Sequence, residues 1–489
     1  MCTAFNIRWF GFALCFAAFA VLQFQFVEAD PSIDISHSRG PFTDEGLNTS
    51  QARNYINHGS WGLAECDNLV KSPAFNLYMA GVFHLFDTSR QSARLAVLIA
   101  SLLLFLIFSF LLNKPLISVS LILIGGMHYQ FFQFFHFAMV EVMAVQLILA
   151  SLAAGFIFLK RSDSVKNSWF WLVLHFVGLF TVVCLKVQFA YTMVFPLLLI
   201  FLCKLHTNNS RFKPYIITLF GLYAAAILFY GFGWYVHVQP VFDKVIAGQV
   251  THRYSGDWNG LKALAGNIRT FFLRPENLCL NLFFALSLIS VIRNRNTLKL
   301  EEKYLFSLAG IWLLLEYHKV FIQWVPARYT LSLVFALALW NAVFTYSAFK
   351  SAHLSGKLLA LVILVLTVIL HSSGLTRLMT ERTYRSAEII NHFEKYDFKG
   401  RAVAGTWATG LIWTKTAYVL PVWDDFTPME EFMETYKPVL VVTEKHEKDS
   451  DRAFDRQGID LQHYYSQKEE RSYGGYTLFF YSDSMASLP

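Results

Sequence analysis

The sequence has 489 residues, of which 55% are hydrophobic and only 15% are charged, and 48 of them are Phe. A single soluble core cannot bury this much apolar surface, so lipid is expected to be the solvent for most of the chain. The formal net charge of +7 lies mostly in short connections between apolar segments, which argues against nucleic acid as a partner.

Apolar segments long enough to cross a membrane as helices recur along the chain. Clear examples are 95–112, 116–135, 139–159, 216–236 and 358–371. Lys and Arg fall in every second connection, so the connections that hold Arg161, Arg211 and Arg295 are predicted to be cytoplasmic. The pattern predicts a polytopic α-helical membrane protein with about eleven transmembrane helices and its N-terminus inside. The first span, 9–26, also resembles a signal peptide, and either interpretation places the next segment outside.

Two long external connections interrupt the transmembrane module, which covers residues 1–374: they are 28–91 and 237–275. Long connections in compact proteins are usually functional or disordered. In the first, the sequence DEGLNTSQARNYINHGSWG is typical of a short amphipathic helix that ends at Gly59. The following SPAFNLYMAGVFHLF predicts an apolar helix along the membrane interface. The first connection is therefore expected to be ordered.

The composition becomes charged and soluble over residues 375–489. Here RAVAGTW, AYVLPVW, VLVVTEK and YTLFFYS predict strands, and TPMEEFMETY predicts a helix with a Thr N-cap and Pro at its first position. This segment is interpreted as a small external α/β domain.

Several ionisable residues fall at the predicted outer ends of spans. Burying such a residue in the membrane costs about 2.5 to 3.5 kcal/mol, so its presence needs a reason. Each has an ordinary explanation as well: acids at a helix N-terminus, basic side chains that reach the headgroups, or a structural ion pair. Their convergence favours an outward-facing site. The residues are Asp44, Glu45, His136, Glu141, Lys186, Glu316, His318, Lys319 and Arg328.

The first external segment resembles that of the GT-C superfamily of membrane glycosyltransferases, especially glycosyltransferase family 39. That family includes the protein O-mannosyltransferases and the lipid A aminoarabinose transferases. The resemblance lies in FTDEGLNTSQARNYINHGSWG and VKSPAFNLYMAGVFHLFDTSRQSARL, and it continues at VEVMAVQLILASLAA and VPARYTLSLVFALAL. The matching positions are Asp44-Glu45, Gly59-Ser60-Trp61, Pro73, Arg94, Glu141 and Arg328-Tyr329.

The resemblance implies a GT-C fold and an inverting transfer of a sugar from a polyprenyl phosphate or dolichyl phosphate. The acceptor would be a lipid, glycan or protein outside a bacterial inner or plasma membrane. Asp44, with Glu45 beside it, matches the family's catalytic acid and would take the acceptor proton. The residues implied in substrate binding, several of them as phosphate ligands, are Glu141, Lys186, Arg269, Arg274, His318, Lys319, Arg328 and Tyr329.

The resemblance leaves a metal requirement open. Aminoarabinose-type enzymes carry a Glu-Lys-Pro motif with a metal-binding Glu, whereas this chain has Val70-Lys71-Ser72-Pro73. The nearest acids are Glu65 and Asp67. The six Cys have no metal-type spacing, so neither a zinc site nor a disulfide framework is predicted. A divalent metal is thus possible, and no cofactor is assigned.

Two other functions are compatible with the composition. A lipid or polysaccharide transporter or flippase would place charged or broken helices near the midplane of two related halves, and the sequence shows no such internal symmetry. A structural or sensory membrane protein would use its C-terminal domain to bind a partner, and Asp44 would then be dispensable. The acid pair ahead of a helix in the first connection favours the glycosyltransferase.

Overall fold

The structure is a computed structural model that describes residues 2–35, 39–63, 65–162, 164–206, 212–253, 259–323, 325–351, 353–422, 429–445, 454–455 and 458–483. Within these residues, nine helical segments are long and apolar enough to cross a membrane. They confirm an integral, multi-pass membrane protein. The nine are Ile7–Gln25, Arg90–Leu112, Val140–Arg161, Ser168–Leu185, Val187–Leu205, Lys213–Lys244, Pro275–Arg293, Ala327–Lys350 and Leu354–Glu381.

Two of the expected eleven spans differ from simple membrane helices. The segments Pro115–Gly126 and Tyr129–Phe135 pass the same test only as a pair, with a bend of 95° between them, and raise the count to ten. The helix Leu300–Glu316 has 17 residues and begins with Glu301, Glu302 and Lys303, so it is shorter and more polar than its neighbours. The described part of the chain therefore gives nine or ten spans rather than eleven.

The helices in chain order are α1 Cys2–Gln25, α2 Gly40–His58, α3 Asn68–Lys71, α4 Pro73–Leu85, α5 Arg90–Leu112, α6 Pro115–Leu121, α7 Tyr129–Phe135, α8 Val140–Arg161, α9 Val165–Leu185, α10 Phe195–His206, α11 Phe212–Ile227, α12 Val236–Arg253, α13 Gly260–Ile268, α14 Pro275–Arg293, α15 Leu300–Glu316, α16 Leu331–Lys350, α17 Leu354–Glu381, α18 Arg385–Phe393, α19 Thr406–Leu411, α20 Met429–Tyr436 and α21 Leu461–Tyr464. Short 3₁₀ turns (Val187–Val194, Tyr317–Phe321, Ala327–Thr330) and π turns (Ile122–Gly126, Leu228–Tyr235, Arg269–Leu273) join several of them.

Two helices form the centre of the bundle. The apolar windows of α8 and of the segment that contains α16 are 89% and 94% buried, whereas that of Lys213–Lys244 is only 6% buried. Central helices in a bundle are apolar all round because neighbours cover every face. The same two helices supply Glu141 and, just ahead of α16, Arg328, so the candidate site is built on the most tightly packed part of the bundle.

The first long connection, 28–91, contains the helix expected there. Pro41 suits the first turn of α2, and Gly59 ends the helix with a φ of 75° while its N–H donates to the carbonyl of Tyr55. The second segment, 237–275, is not an open loop: where it is described, it consists largely of α12 and α13. The apolar segment that begins at Lys213 continues into α12 and reaches Lys244, beyond the expected boundary at His237.

The C-terminal segment forms one sheet in the order β2-β1-β3-β5-β4. The strands are β1 Ala402–Ala404, β2 Tyr418–Leu420, β3 Leu440–Glu444, β4 Gln467–Tyr473 and β5 Tyr476–Ser482. β1 pairs parallel with β2 and β3, and β5 pairs antiparallel with β3 and β4. Four strands and α20 match the prediction, although the expected N-cap, Thr427, lies outside the described residues. β4 was not predicted, because an edge strand rich in charged residues lacks a strong apolar pattern.

Candidate active site

α2 lies between the transmembrane bundle and the C-terminal domain. Its first fifteen residues, 40–54, are all buried, so it is not a helix with one solvent-facing side as the sequence indicated. Gly46 allows this packing, since a Cβ there would lie 2.1 Å from the carbonyl oxygen of Thr409 in α19. α2 is therefore part of the core, and the acids that it carries are held in a defined place.

The structure brings together four of the predicted site residues. Nη1 of Arg328 lies 2.5 Å from Oδ2 of Asp44, and its Nε lies 3.3 Å from Oε1 of Glu141. The same Glu141 oxygen is 2.7 Å from Nζ of Lys186. These residues come from α2, the first turn of α8, the residue after α9 and the 3₁₀ turn before α16. We refer to Asp44, Glu141, Lys186 and Arg328 as the four-residue cluster.

Tyr329 covers one side of this cluster. Its ring lies 4.9 Å from Nζ of Lys186 and 4.8 Å from the guanidinium carbon of Arg328, so both cations stack against an aromatic face. Its hydroxyl accepts a hydrogen bond of 3.1 Å from Nε2 of Gln188. The ring limits the directions in which the two cations can move, which is how a binding site is preorganised.

Burial and charge act in opposite directions on Asp44. Burial raises the pKa of its carboxyl group, and the nearby Glu141 raises it further, while Arg328, Lys186 and Lys71 oppose the change. The net effect is a pKa above the ordinary value for Asp. A carboxylate with a raised pKa is a better proton acceptor, as a general base requires.

Glu45 occupies a different environment from its neighbour. Nε and Nη2 of Arg94 each donate to one of its carboxylate oxygens at 2.7 Å, and the backbone N–H of Ala138 donates at 2.9 Å. Burial raises the pKa of Glu45, but the charge and hydrogen bonds of Arg94 outweigh burial and leave it below the ordinary value. The carboxylate is thus held charged in a bidentate pair, which suits a structural tie better than proton transfer.

Lys319 belongs to a second buried cluster beside the first. Its Nζ lies 2.6 Å from Oε2 of Glu316 and donates to the Tyr329 carbonyl at 3.1 Å. Ser332 donates to the same oxygen of Glu316, while Trp312 and Tyr191 donate to the other carboxylate oxygen, Oε1. His318 is exposed, and its ring packs 4.8 Å from that of Tyr191. Through the bond from Lys319 to the carbonyl of Tyr329, this second cluster helps to hold the backbone of Tyr329 in place.

Among the described residues, the two predicted phosphate-binding arginines of the second connection form no ion pair with the four-residue cluster. Arg269 is exposed, and Arg274 donates to the backbone carbonyls of Asp34 and Ile35 at 3.2 and 3.5 Å. His136 packs beside Phe26, with its Nδ1 3.2 Å from Oε1 of Gln23. The roles of Arg269 and Arg274 as ligands stay predictions, while Arg274 and His136 contact α1 or the residues that follow it.

Two residues near the site were missed in the sequence. Lys71 is close enough to Asp44 to influence its pKa, and it pairs with Asp67 at 2.6 Å. At Gly40 a Cβ would lie 2.4 Å from Nη1 of Arg328 and 2.6 Å from Oδ2 of Asp44. The Lys-x-Pro remnant at Lys71 was a usable signal, whereas nothing in the sequence distinguishes Gly40 from other glycines.

A metal ion is not supported by the described residues. No group of three or more His, Cys, Asp or Glu side chains suited to a metal occurs among them. Oδ2 of Asp67 pairs with Lys71, and Oε1 of Glu65 accepts a hydrogen bond from the hydroxyl of Tyr436. These are the acids nearest to the position where the family's metal-binding Glu is replaced by Val70, so no step is assigned to a metal.

Comparisons with known proteins give the fold. The sequence matches no protein-family model and no curated protein. Two solved structures of ArnT from Cupriavidus metallidurans are similar to the chain, one bound to undecaprenyl phosphate and one in the apo state. Each has a TM-score of 0.59 at 15% sequence identity, covering 98% of this chain and 99% of that chain for the first, and 97% and 98% for the second. The chain thus has an ArnT-like fold along nearly its whole length, which confirms the helical membrane fold with a small C-terminal sheet domain that the sequence predicted.

Proposed function

We propose that the protein is an inverting glycosyltransferase that moves a sugar from a polyprenyl phosphate or dolichyl phosphate to an acceptor on the outer face of the membrane. The observation that carries the proposal is the four-residue cluster, in which buried Asp44 of α2 pairs with Arg328, and Glu141 joins Arg328 to Lys186. An acid and a phosphate-binding cation side by side are what this transfer needs. ArnT, which has this fold, was solved with undecaprenyl phosphate bound.

In the proposed reaction, Asp44 takes the proton from the acceptor hydroxyl. The freed oxygen attacks the anomeric carbon of the sugar, and the bond from this carbon to the phosphate oxygen breaks on the opposite side. The electron pair of that bond leaves with the polyprenyl phosphate, so configuration at the anomeric carbon is inverted. Because a sugar phosphate already carries its leaving group, one base and a set of cations are sufficient.

The cations would act on the phosphate. Arg328 offers five N–H donors in a planar fork, which suits two phosphate oxygens, and Lys186 offers a compact charge beside it. Lys71, close to Asp44 on the first external segment, is a third cation within reach. In a partly desolvated cleft such donors stabilise the charge that develops on the leaving group far better than water-exposed ones do.

A transporter is less well supported by the geometry. The charged residues lie at helix ends: Glu141 in the first turn of α8, Lys186 just after α9, and Arg328 just before α16. Transporter sites instead lie near the midplane, where broken helices of two repeats meet.

The decisive experiment is a transfer assay with the purified protein in nanodiscs. A panel of undecaprenyl-phosphate-linked sugars is supplied with a membrane and cell-wall extract as acceptor, and mass spectrometry follows both products. We expect undecaprenyl phosphate to be released together with a glycosylated acceptor of inverted configuration. No release from any donor, with the protein folded, would contradict the proposal. Comparing glycans and lipids from cells with and without the protein would then identify the acceptor.

Orientation needs a separate test. Single Cys probes at Ser60, Asn259 and Ser450 should react with an impermeant maleimide added from outside, whereas a probe at Ser162 should not, because the basic connections are predicted to be cytoplasmic. Labelling of the Ser162 probe from outside would overturn the proposed outward-facing site.

A further inference from the structure

In the four-residue cluster, positive and negative charges are balanced. Arg328 contacts two carboxylates, Asp44 through Nη1 and Glu141 through Nε, while Lys186 contacts Glu141. The cations around it are also paired: Lys71 with Asp67, and Lys319 with Glu316. A phosphate that enters this site therefore meets cations that already hold carboxylates, and must compete with Asp44 for Nη1 of Arg328.

The proposed reaction changes the charge of both groups that compete for Arg328, the phosphate and Asp44. The donor is a phosphodiester with one negative charge, and the released polyprenyl phosphate carries up to two at neutral pH. In the same step Asp44 gains the proton of the acceptor hydroxyl and loses its own charge. The total charge of Asp44 and phosphate is thus unchanged at two negative charges, but it has moved entirely to the phosphate.

We propose that Asp44 controls Arg328: its carboxylate holds the guanidinium before transfer, and its protonation during transfer releases Nη1 to the phosphate that leaves. Arg328 thereby binds the phosphate of the leaving group more tightly than the phosphate of the bound donor, since Nη1 becomes available as the proton moves. Interactions that strengthen along the reaction raise the rate of the chemical step, whereas equal binding of donor and transition state does not. This inference rests on the proposed function and adds a role for the ion pair itself.

The surroundings of Asp44 are compatible with this switch. The charged groups that influence it are Arg328, Lys186, Glu141 and Lys71, from four different elements, and Glu45 on its own helix is bound to Arg94. Arg328 cannot lose its proton in this pH range, so it stays a cation throughout. Only Asp44 changes charge. Its burial already favours the protonated form, so proton uptake needs no rearrangement of the helix.

The test measures binding of undecaprenyl phosphate in nanodiscs of phosphatidylcholine, which carries no net charge. Asp44→Asn keeps the shape of the side chain but imitates its protonated, neutral state. We expect this variant to bind undecaprenyl phosphate about tenfold more tightly than the unmodified protein at pH 8. The reason is that Nη1 of Arg328 is free to donate to the phosphate, and a hydrogen bond from a charged donor changes affinity by about this factor. Asp87→Asn is the matched control: Asp87 pairs with Lys415 at 2.7 Å where both are exposed, and its loss should leave the affinity unchanged.

A pH series is a second test, because it measures the affinity of the unmodified protein as well as that of the variant. As pH falls, Asp44 is protonated and stops competing, so the affinity of the unmodified protein should approach that of Asp44→Asn. Titration of the phosphate itself affects both proteins equally and cancels in the ratio. Equal or weaker binding by Asp44→Asn at pH 8 would overturn the switch but leave the glycosyltransferase proposal intact. No binding of undecaprenyl phosphate by either protein would overturn both.

Discussion

α2 is held on its two sides by different kinds of contact. Toward the bundle, its acids meet guanidinium groups: Asp44 pairs with Arg328, and Glu45 with Arg94. Toward the C-terminal domain, Arg53 donates to the backbone carbonyls of Ile412 and Thr409 at 2.9 and 2.6 Å, and Phe42 packs against aromatic rings. The contacts on the bundle side are ion pairs, whereas those on the domain side are hydrogen bonds to backbone carbonyls and close packing.

The two kinds of contact indicate two roles: the ion pairs can respond during the reaction, and the packing holds α2 in position. A charge pair responds to a ligand or a proton, because the energy between its partners depends strongly on both. A hydrogen bond from a side chain to a backbone carbonyl, or a helix packed against the backbone at Gly46, hardly changes with pH or with a phosphate. We infer that the C-terminal domain keeps α2 in place while the charges on its other side change during turnover. The following predictions test this division.

The largest effect is expected from Asp44→Asn on sugar transfer. Loss of the general base should lower the rate about 100- to 10,000-fold while the protein still inserts and folds. Glu45→Gln is the matched neighbour: it leaves buried Arg94 without a full partner, so it should cost about 3 to 5 kcal/mol of stability. Transfer rates and thermal midpoints in detergent measure both. Near-normal transfer by Asp44→Asn would remove this residue from the mechanism.

A smaller effect should follow from changing the cations. Lys186→Ala and Arg328→Ala each remove a hydrogen bond from a charged donor, so the KM for the sugar donor should rise about tenfold to a hundredfold while that for the acceptor changes little. Arg328→Lys should be only partly tolerated, because an ammonium lacks the planar fork. Side chains that only reach lipid headgroups would alter expression instead, and an unchanged donor KM in both alanine variants would refute phosphate binding.

On the opposite side of α2, Gly46→Ala tests the close packing against α19. The new methyl group would lie 2.1 to 2.3 Å from backbone atoms of Thr409 and Gly410, which cannot move aside as a side chain end can. Overpacking of this kind costs about 1 to 3 kcal/mol. We expect faster hydrogen exchange in α19 and easier proteolysis of the C-terminal domain. Gly81→Ala, in α4 with open space at its Cβ, is the control and should behave normally.

The smallest effect is expected from Gly40→Ala on the charged side. Here the atoms nearest to the methyl group belong to the side chains of Arg328 and Asp44, so the fold should be retained and the ion pair displaced. A displacement of this size should lower the transfer rate by about tenfold. An unchanged rate would mean that the exact placement of the pair is unimportant, and would weaken the assignment of chemistry to this side.

Much of this arrangement was accessible from the sequence. Apolar length predicted the spans, and four of the five strands followed from short β-branched and aromatic runs. Threading the spans also indicated that Asp44, Glu141, Lys186 and Arg328 would lie at one end of the bundle. This worked because the end of a helix is fixed by its length and by the connection that follows.

The direction of a side chain around its helix was not accessible in the same way. Consecutive residues on a helix point about 100° apart, so Asp44 and Glu45 face different partners although they are neighbours in sequence. Which guanidinium each one meets depends on how α5 and α16 are rotated in the bundle. For the same reason Lys319 could not be distinguished from Lys186: one is bound to Glu316 and the other to Glu141.

The side chain of Asn54 closes one edge of the C-terminal sheet. Its amide nitrogen donates to the carbonyl of Val419 in β2 at 2.8 Å, and its amide oxygen accepts from the N–H of Val419 at 3.1 Å, as a neighbouring strand would do. The opposite edge, β4, carries the charges of Lys468, Glu469, Glu470 and Arg471, which discourage self-association. A fragment that begins after α17 would lack Asn54 and expose β2 as a template for other strands. Aggregation of such a fragment would therefore reflect a missing helix rather than an unfolded domain.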